Sequence, residues 1–554
     1  MASSQSPLQR LRDLVIVERD DVNTLIIYGV AVGLMSLATP IAVQALVNNI
    51  AFGALLQPLF VLTIVLLFLM AIANGISALQ FYVVEMLQRR LFVRHFGMAA
   101  QQLGSTLFHF RDKHHLPELA NRYFDVVTLQ KAASTALLDT IGYVLQSVIG
   151  MLLLAFYHPL LLAFDIFMIA MVLFILFVLG KNGVKTAIEQ SQAKYQAVAW
   201  LETIADRPLL TRNASGERYV IEHSEQLAAN YLNASEQHFK VLNRQNIAAL
   251  SLHAVSNTLL LGMGGWMVID RQLSLGQLIA AELVVGAMLY GLTRLGKTLD
   301  NVYQLMTSLD KIGYLQDLPQ EADNETRIIA ETDACRVDIH HLNMARLPSQ
   351  DHLDAIDLHL APREHLLIYT GAERGTLLDC LFGLRTPLKG HIEIDGHDLR
   401  NVNLHQLRDH IALVRDAEIV ESSVIGNLEL GAADLSIQQC RQALAAVDLL
   451  DFVLSLPDGM NTMLSVHGAP FSKEQTLRLT LARALCHRPR LLLLDRVLDC
   501  IDQRTLPGIL DYLTDEQVPW TLIIVGQEPT LAPHCRRQIK IKDGRVIDMR
   551  EAEQ

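Results

Sequence analysis

Cysteine is scarce and confined. The six thiols, Cys335, Cys380, Cys440, Cys486, Cys500 and Cys535, all lie in the last two-fifths of the 554 residues. None are spaced as zinc ligands or as a CxxC redox pair, so zinc-ribbon and dithiol chemistry are set aside and reduced thiols in a cytosolic domain are expected. Basic residues are outnumbered, 46 Lys and Arg against 58 Asp and Glu, for a net charge of -12. A general nucleic-acid binder would carry a basic face, so no nucleic-acid partner is expected. The opening stretch MASSQSPLQRLRDLVIVERDD lacks an apolar core followed by a small-residue cleavage site. It is read as a short cytoplasmic amphipathic lead-in, residues 1–23, and not as a secretory signal. A further absence is local. The stretch IYTGAERGTLLDCLFGL, Ile368 to Leu384, has the frame of a strand, a phosphate-cradling turn and a helix, but no lysine. A turn of that kind uses a lysine to neutralise phosphate charge.

What the chain has in abundance is apolar sequence, 51% of its residues, too much for one soluble domain. Stretches long enough to cross a bilayer as helices, about 20 residues each, occur at roughly 24–50, 55–84, 135–157, 159–180, 246–270 and 275–295. These predict six spans in a domain over 24–315. The joints NNIAFGALLQ, YHP and DRQLSLGQ are short, whereas 85–134 and 181–245 are long, polar and helix-patterned. Within 24–315 the long segments hold most of the lysine and arginine, from Arg89 to Lys131 and from Lys181 to Arg244, while the short joints hold only Arg271. The positive-inside bias therefore puts the long segments and both termini in the cytoplasm. Asp139, Asp165, His253 and Glu282 lie in or near apolar runs. Charges there usually face a bundle interior or a watery cavity, which makes Asp165 and Glu282 candidates for a translocation path; headgroup positions or helix-to-helix contacts are the alternative.

After a polar linker, 316–330, the pattern changes to short β-rich runs alternating with helical ones over 331–554, an α/β domain. HLLIY, RLLLLD and TLIIV read as buried parallel strands. The string GAPFSKEQTLRLTLARALCHRPRLLLLDRVLDCID, Gly468 to Asp502, resembles the signature helix, Walker B strand and D-loop of ATP-binding cassette (ABC) proteins. Ser472, Gln475, Arg478, Ala482, Arg483, Ala484, Asp495 and Asp502 fall in register without a gap. HIEIDGHDLRNVNLHQLRDHIALV and SVIGNLELG resemble further cassette segments, and PELANRYFDVVTLQK and LETIADRPLLTRNASGERY are similar to the family's two cytoplasmic coupling loops.

The resemblance implies a six-span α-helical exporter domain followed by an α/β cassette, nearest in flavour to type I secretion exporters. The segment before the first span is expected to be too short for an N-terminal peptidase domain. It implies an inner or plasma membrane location, a dimer through both domains, either with itself or with an active ABC subunit, and periplasmic adaptor and outer-membrane components as further partners.

Against the family's pattern, the departures are chemical. The phosphate turn, Gly371 to Thr376 with Glu373, Arg374 and Gly375, is about two residues short and has no lysine; Arg374 differs from lysine in shape and reach. Asp495 retains the means to assist magnesium through water. Arg496 stands where the family has the glutamate that polarises attacking water, and a guanidinium cannot accept that proton. Gln527 replaces the switch histidine, Arg415 the Q-loop glutamine, and Leu347 the aromatic that stacks on adenine. In the signature, Lys473 and Glu474 between Ser472 and Gln475 replace two glycines that let a phosphate approach the helix. Together these predict lost or nearly lost ATP hydrolysis and impaired Mg-ATP binding. Two functions follow from different classes: a half-transporter subunit for a substrate of unreadable identity (protein, peptide or lipid-like), or a non-transporting membrane scaffold or regulator; an active ATPase with unorthodox residues is the third alternative. Lys473, Glu474, Arg496, Arg415 and Glu373 either pair across a cassette dimer or are solvated surface charges.

Overall fold

The computed structural model describes residues 5–51, 56–112, 116–321, 334–344, 353–370, 375–432, 434–527, 529–542 and 544–548. They form two units, Met1–Thr106 with Arg111–Gln320, and Leu107–Phe110 with Glu321–Gln554.

The first unit is helical. Among the described residues five helical stretches are long and apolar enough to cross a membrane: Arg19–Asn49, Leu59–Gly104, Leu116–Tyr157, Pro159–Leu179 and Ala214–Ile269. A sixth arises if Leu275–Gly291 and Gly296–Gln316, bent by 42° at their junction, count as one span. The helices Leu56–Gly104 and Ala214–Ile269 run for 49 and 56 residues. At about 1.5 Å per residue both are more than twice as long as a bilayer core of about 30 Å is thick. Apolar side chains face outward along the apolar stretches of the unit, Phe60, Leu67, Phe68, Phe156 and Phe177 all being exposed. The interior is built from Leu154, Leu161, Phe164, Met168 and Ile175 against Leu252, Leu260, Met267, Val284 and Met288. The sequence spans at 55–84 and 246–270 are thus the apolar parts of longer helices, since an α-helix keeps its backbone bonds satisfied on both sides of an interface.

The second unit is α/β. Its ten strands, among the described residues, are β1 (Val337–Met344), β2 (Leu353–Leu360), β3 (His365–Thr370), β4 (Lys389–Ile394), β5 (His397–Asp398), β6 (Ile411–Val414), β7 (Leu491–Asp495), β8 (Thr521–Val525), β9 (Arg537–Lys542) and β10 (Arg545–Asp548). An antiparallel sheet runs β2-β1-β4-β5, and a six-stranded sheet runs β10-β9-β3-β8-β7-β6, parallel except for the β9–β10 hairpin. The continuous apolar runs of β7 and β8 follow from burial on both faces. Leu492, Leu494, Leu522 and Ile524 enter one core with the helices Ile437–Ala446, Lys473–Cys486 and Leu506–Leu513. Leu491, Leu493, Ile523 and Val525, pointing the opposite way, join the antiparallel sheet and helix Thr376–Leu381 in the other. Of the six cysteines only Cys500 is exposed and all are free; burial pushes the thiols of Cys335, Cys380, Cys486 and Cys535 up to about 12.

The two segments expected to couple, 117–131 and 201–219, lie in the helical unit, and the short segment Leu107–Phe110 groups with the α/β unit. There the Arg385 guanidinium lies over the Phe108 ring, 5.1 Å from its centroid. PELANRYFDVV, singled out in the sequence, starts several residues after that segment.

Candidate nucleotide site

In a parallel sheet covered by helices, ligands bind beyond the carboxyl ends of the strands. Here β7 ends in Asp495, β6 is followed by Arg415, β8 by Gln527, and the helix after β3 is entered through Gly375 and Thr376. The alternation in β7 that sends Leu492 and Leu494 to one core leaves Asp495 at the strand's end with its side chain only 8% exposed.

Arg415 closes this edge. Its Nε donates to Asp495 Oδ2 at 2.5 Å, and its Nη2 donates to Asp379 Oδ1 at 2.7 Å and to the Gly375 carbonyl at 3.4 Å. Asp379, one turn into the helix Thr376–Leu381, also accepts from Arg385 Nε at 2.8 Å, both side chains being buried. Burial opposes the charge on Arg415, but Asp379 and Asp495 outweigh it and hold the guanidinium above the usual arginine range. The result is a chain Arg385–Asp379–Arg415–Asp495 that knits the ends of β6 and β7 to the first turn after β3.

A magnesium ion with a triphosphate needs Asp495, and the space beside Gly375, turned toward it. Instead, a methyl group at Gly375 would meet Arg415 Nη2 and Asp495 Oδ2 at 2.4 Å each. The guanidinium therefore lies between Gly375 and the Asp495 carboxylate. The cation that the carboxylate faces is supplied by the chain itself.

The remaining candidates hold the loops together. Arg496 has a left-handed backbone, φ 58°, and its N–H donates to the Val525 carbonyl at 2.8 Å. The N–H of Gln527 donates to Asp499 Oδ1 at 3.0 Å. Ser472 caps helix Lys473–Cys486, accepting from Gln475 N–H at 3.2 Å while Gln475 Oε1 accepts from Ser472 N–H at 2.8 Å. Glu474 accepts from Asp502 N–H at 3.2 Å and lies 3.4 Å from Arg478. Asp502 Oδ1 in turn accepts from Arg504 N–H at 2.8 Å. Lys473 is exposed and Thr376 buried. Leu347, Gly371, Glu373 and Arg374 lie outside the described residues.

Within the chain, Arg415 pairs with Asp379 and Asp495, and Glu474 with Arg478 and the Asp502 N–H. Asp379, Arg385 and Asp499 escaped the sequence reading. The signal for the first two was a lone acid in the apolar run TLLDCLFGL with an arginine six residues on.

In the helical unit the two path candidates differ. Asp165 is 2% exposed, and neither carboxylate oxygen has a hydrogen-bond partner among the described residues. Glu282 is exposed, on the helix Leu275–Thr293. Asp139 lines a cavity of about 340 Å³ with Gly33, Gln80 and Tyr143, and His253 is half-buried.

A long-helix unit with membrane-length apolar segments and a two-sheet cassette define the class: an ABC exporter fold. Comparison with known proteins makes this specific. The family described as ABC transporter matches residues 353–498. The chain is similar to the alpha-hemolysin translocation ATP-binding protein HlyB of Escherichia coli O157:H7, 28% identical over 294 residues, 52% of this chain and 41% of that protein. It is also similar to a probable ABC transporter ATP-binding/permease protein of Haemophilus influenzae, 27% identical over 282 residues, 49% of this chain and 51% of that one. The match thus spans about half the length of these curated relatives. A solved bacterial Atm1-family ABC exporter with ATP bound superposes with a TM-score of 0.83 at 18% identity, covering 96% of this chain and 95% of that one.

Proposed function

We propose that this chain is one subunit of a multi-pass ABC-type exporter in an inner membrane, in which the cassette serves as a folded platform and not as an ATP-hydrolysing motor. The helical domain is taken as 24–315 and the cassette as 331–554, with both termini on the cytoplasmic side and the subunit working as a dimer, with itself or with an active homologue. The substrate class is open. Alpha-hemolysin translocation, named for one relative, makes a secreted protein or peptide the first to try.

The observation that carries the loss of the motor is the guanidinium of Arg415 between Asp379 and Asp495. It supplies the Walker B carboxylate with an internal cation, and Arg496 beside it cannot act as a general base. The fit of the ABC fold along nearly the whole chain supports retention of the dimerising and coupling scaffold while phosphate chemistry is lost.

The test is Mg-ATP binding and turnover by the purified protein in lipid, with identification of any co-purifying subunit and Arg374→Ala as a control. No saturable binding and no turnover, with a stable dimer, is the expected result. Turnover abolished by Arg374→Ala would overturn the reading and make Arg374 a substitute phosphate ligand.

A further inference from the structure

The antiparallel sheet of the cassette unit carries an unusual density of histidine on its outer face. In β1 the side chains of Val337 and Ile339 enter the core, and those of Asp338 and His340 alternate to the other side. His340 is opposite His391 of β4, and Asp338 is opposite Glu393, so His340, His391 and Glu393 share one face. The imidazoles of His340 and His391 are 4.8 Å apart between centroids, and His391 Nε2 lies 3.2 Å from Glu393 Oε1. One ligand atom from each of the three lies within 4.8 Å of those of the other two.

This juxtaposition is built by the backbone. The register between β1 and β4 shifts after His340, and His341 has a left-handed φ of 49°. A bulge of this kind re-aims the side chains beside it. Gly390, with φ 77°, lies against the bulge so closely that a methyl group would meet the His340 and His341 carbonyl oxygens at 2.3 and 2.4 Å. Only glycine allows that approach, and it is what brings His391, the next residue, opposite His340. The neighbouring carboxylates are already engaged. Asp338 accepts from Arg336 Nε at 2.7 Å and pairs with His359, and Asp398 holds Arg400. Glu393 shares the face with the two imidazoles and has His391 as its neighbour.

We propose that His340, His391 and Glu393 form a binding site for a borderline divalent transition-metal ion such as Zn²⁺, a cross-strand clasp that pins β1 to β4. Two imidazole nitrogens and a carboxylate oxygen are the donor types zinc selects, and three protein ligands leave a position for water. Ligands at about 2.0–2.2 Å from a tetrahedral ion lie about 3.4 Å from one another. His340 is exposed, and the side chains of His391 and Glu393 are 33% and 28% exposed, so rotamer changes alone close the triad. The site is separate from the Arg415 network and independent of whether the cassette hydrolyses ATP.

The experiment uses the full-length protein in detergent, stripped of metal and titrated with Zn²⁺ against a chromophoric chelator, with zinc-edge X-ray absorption on the saturated sample. One zinc per chain with imidazole scattering is expected, lost in His340→Asn/His391→Asn. The isosteric Glu393→Gln, which leaves the fold undisturbed, should weaken binding by on the order of 10-fold or more, since losing even an outer partner of a metal ligand costs that much. His467→Ala, at an exposed histidine elsewhere in the cassette, should bind as the parent does. Zinc should also slow amide exchange in β1 and β4. Binding of equal stoichiometry and affinity in the double variant, or no zinc bound by the parent, would overturn the proposal.

Discussion

Replacing Arg415 by methionine tests the internal-cation reading directly. Methionine keeps most of the aliphatic stem but removes the bonds to Asp495, Asp379 and the Gly375 carbonyl. Asp379 keeps Arg385 at 2.8 Å, so the loss falls on Asp495, whose side chain is 8% exposed and whose Oδ2 is left without that donor. Breaking a buried ion pair by removing one partner costs about 3–5 kcal/mol. Arg415 is itself 29% exposed, so water can take over part of the solvation, and about 2–3 kcal/mol is the expected loss. The observable is hydrogen exchange of the β6 and β7 amides in the full-length protein, read by mass spectrometry. A loss of that size speeds exchange there by about 30- to 150-fold. Asp495→Asn should cost less, and the double variant should fall short of the sum, because both changes remove one interaction. Exchange altered by less than about threefold in Arg415→Met, or strictly additive effects, would refute the bridge as a structural element.

Arg478 is buried and donates to the Val447 and Asp448 carbonyls at 3.2 and 3.0 Å, closing the end of helix Ile437–Ala446; Arg478→Ala should cost about 2–4 kcal/mol, seen as a lower denaturation midpoint of the cassette. His365, its Nε2 buried without a hydrogen-bond partner among the described residues, has a pKa lowered from 6.5, first by burial. Its folded value lies below its unfolded one, so its contribution is complete above about 6.5 and declines as pH falls toward the depressed value, and His365→Phe should flatten that part of the stability profile. Restoring two family residues at once, Arg415→Gln with Arg496→Glu, should give no ATP turnover, because the phosphate turn still lacks its lysine; measurable phosphate release would place the defect at those two residues alone. Asp165→Leu should raise the melting temperature in detergent, since both carboxylate oxygens are buried without partners; a fall would reveal a partner in the assembled protein.

The strands and the long apolar spans were legible because each rests on a local rule. LLLLD, TLIIV and HLLIY are continuous apolar runs, and burial on both faces is the reason. The helical spans were legible as apolar lengths, but their true extents were not, because the polar continuations of Leu56–Gly104 and Ala214–Ile269 obey a helical period without a compositional edge. At the site, the register of Gly468 to Asp502 fixed Ser472, Asp495 and Asp502 to their elements, and motif comparison singled out Arg415 and Arg496. What Arg415 touches was not legible. Its partner Asp379 is 36 residues away in sequence and belongs to no motif, and only the parallel order β3-β8-β7-β6 brings the two loops to one edge. The clasp of His340 and His391 was hidden for the same reason, being made by an antiparallel register over 51 residues with a bulge that no composition announces.

The location of the proposed loss of chemistry bears on what a partner subunit could do. In the family's dimers each composite site combines one cassette's phosphate turn with the other's signature. Here Arg415 binds Asp495 on the phosphate side, and on the signature side Glu474 is turned into its own chain, toward Asp502 and Arg478. On the proposed reading an intact partner would meet Asp495 held by Arg415 in one composite site and, in the other, a charged pair of residues where glycines normally admit phosphate. On the proposed reading neither site works at full strength in such a pair, and the Arg415 network would hold the cassette in one shape through any cycle its partner ran. The scaffold role and the transport role then differ in one measurable respect: whether mutation of a partner's general base stops transport in a complex where, on the proposed reading, this chain does not hydrolyse ATP.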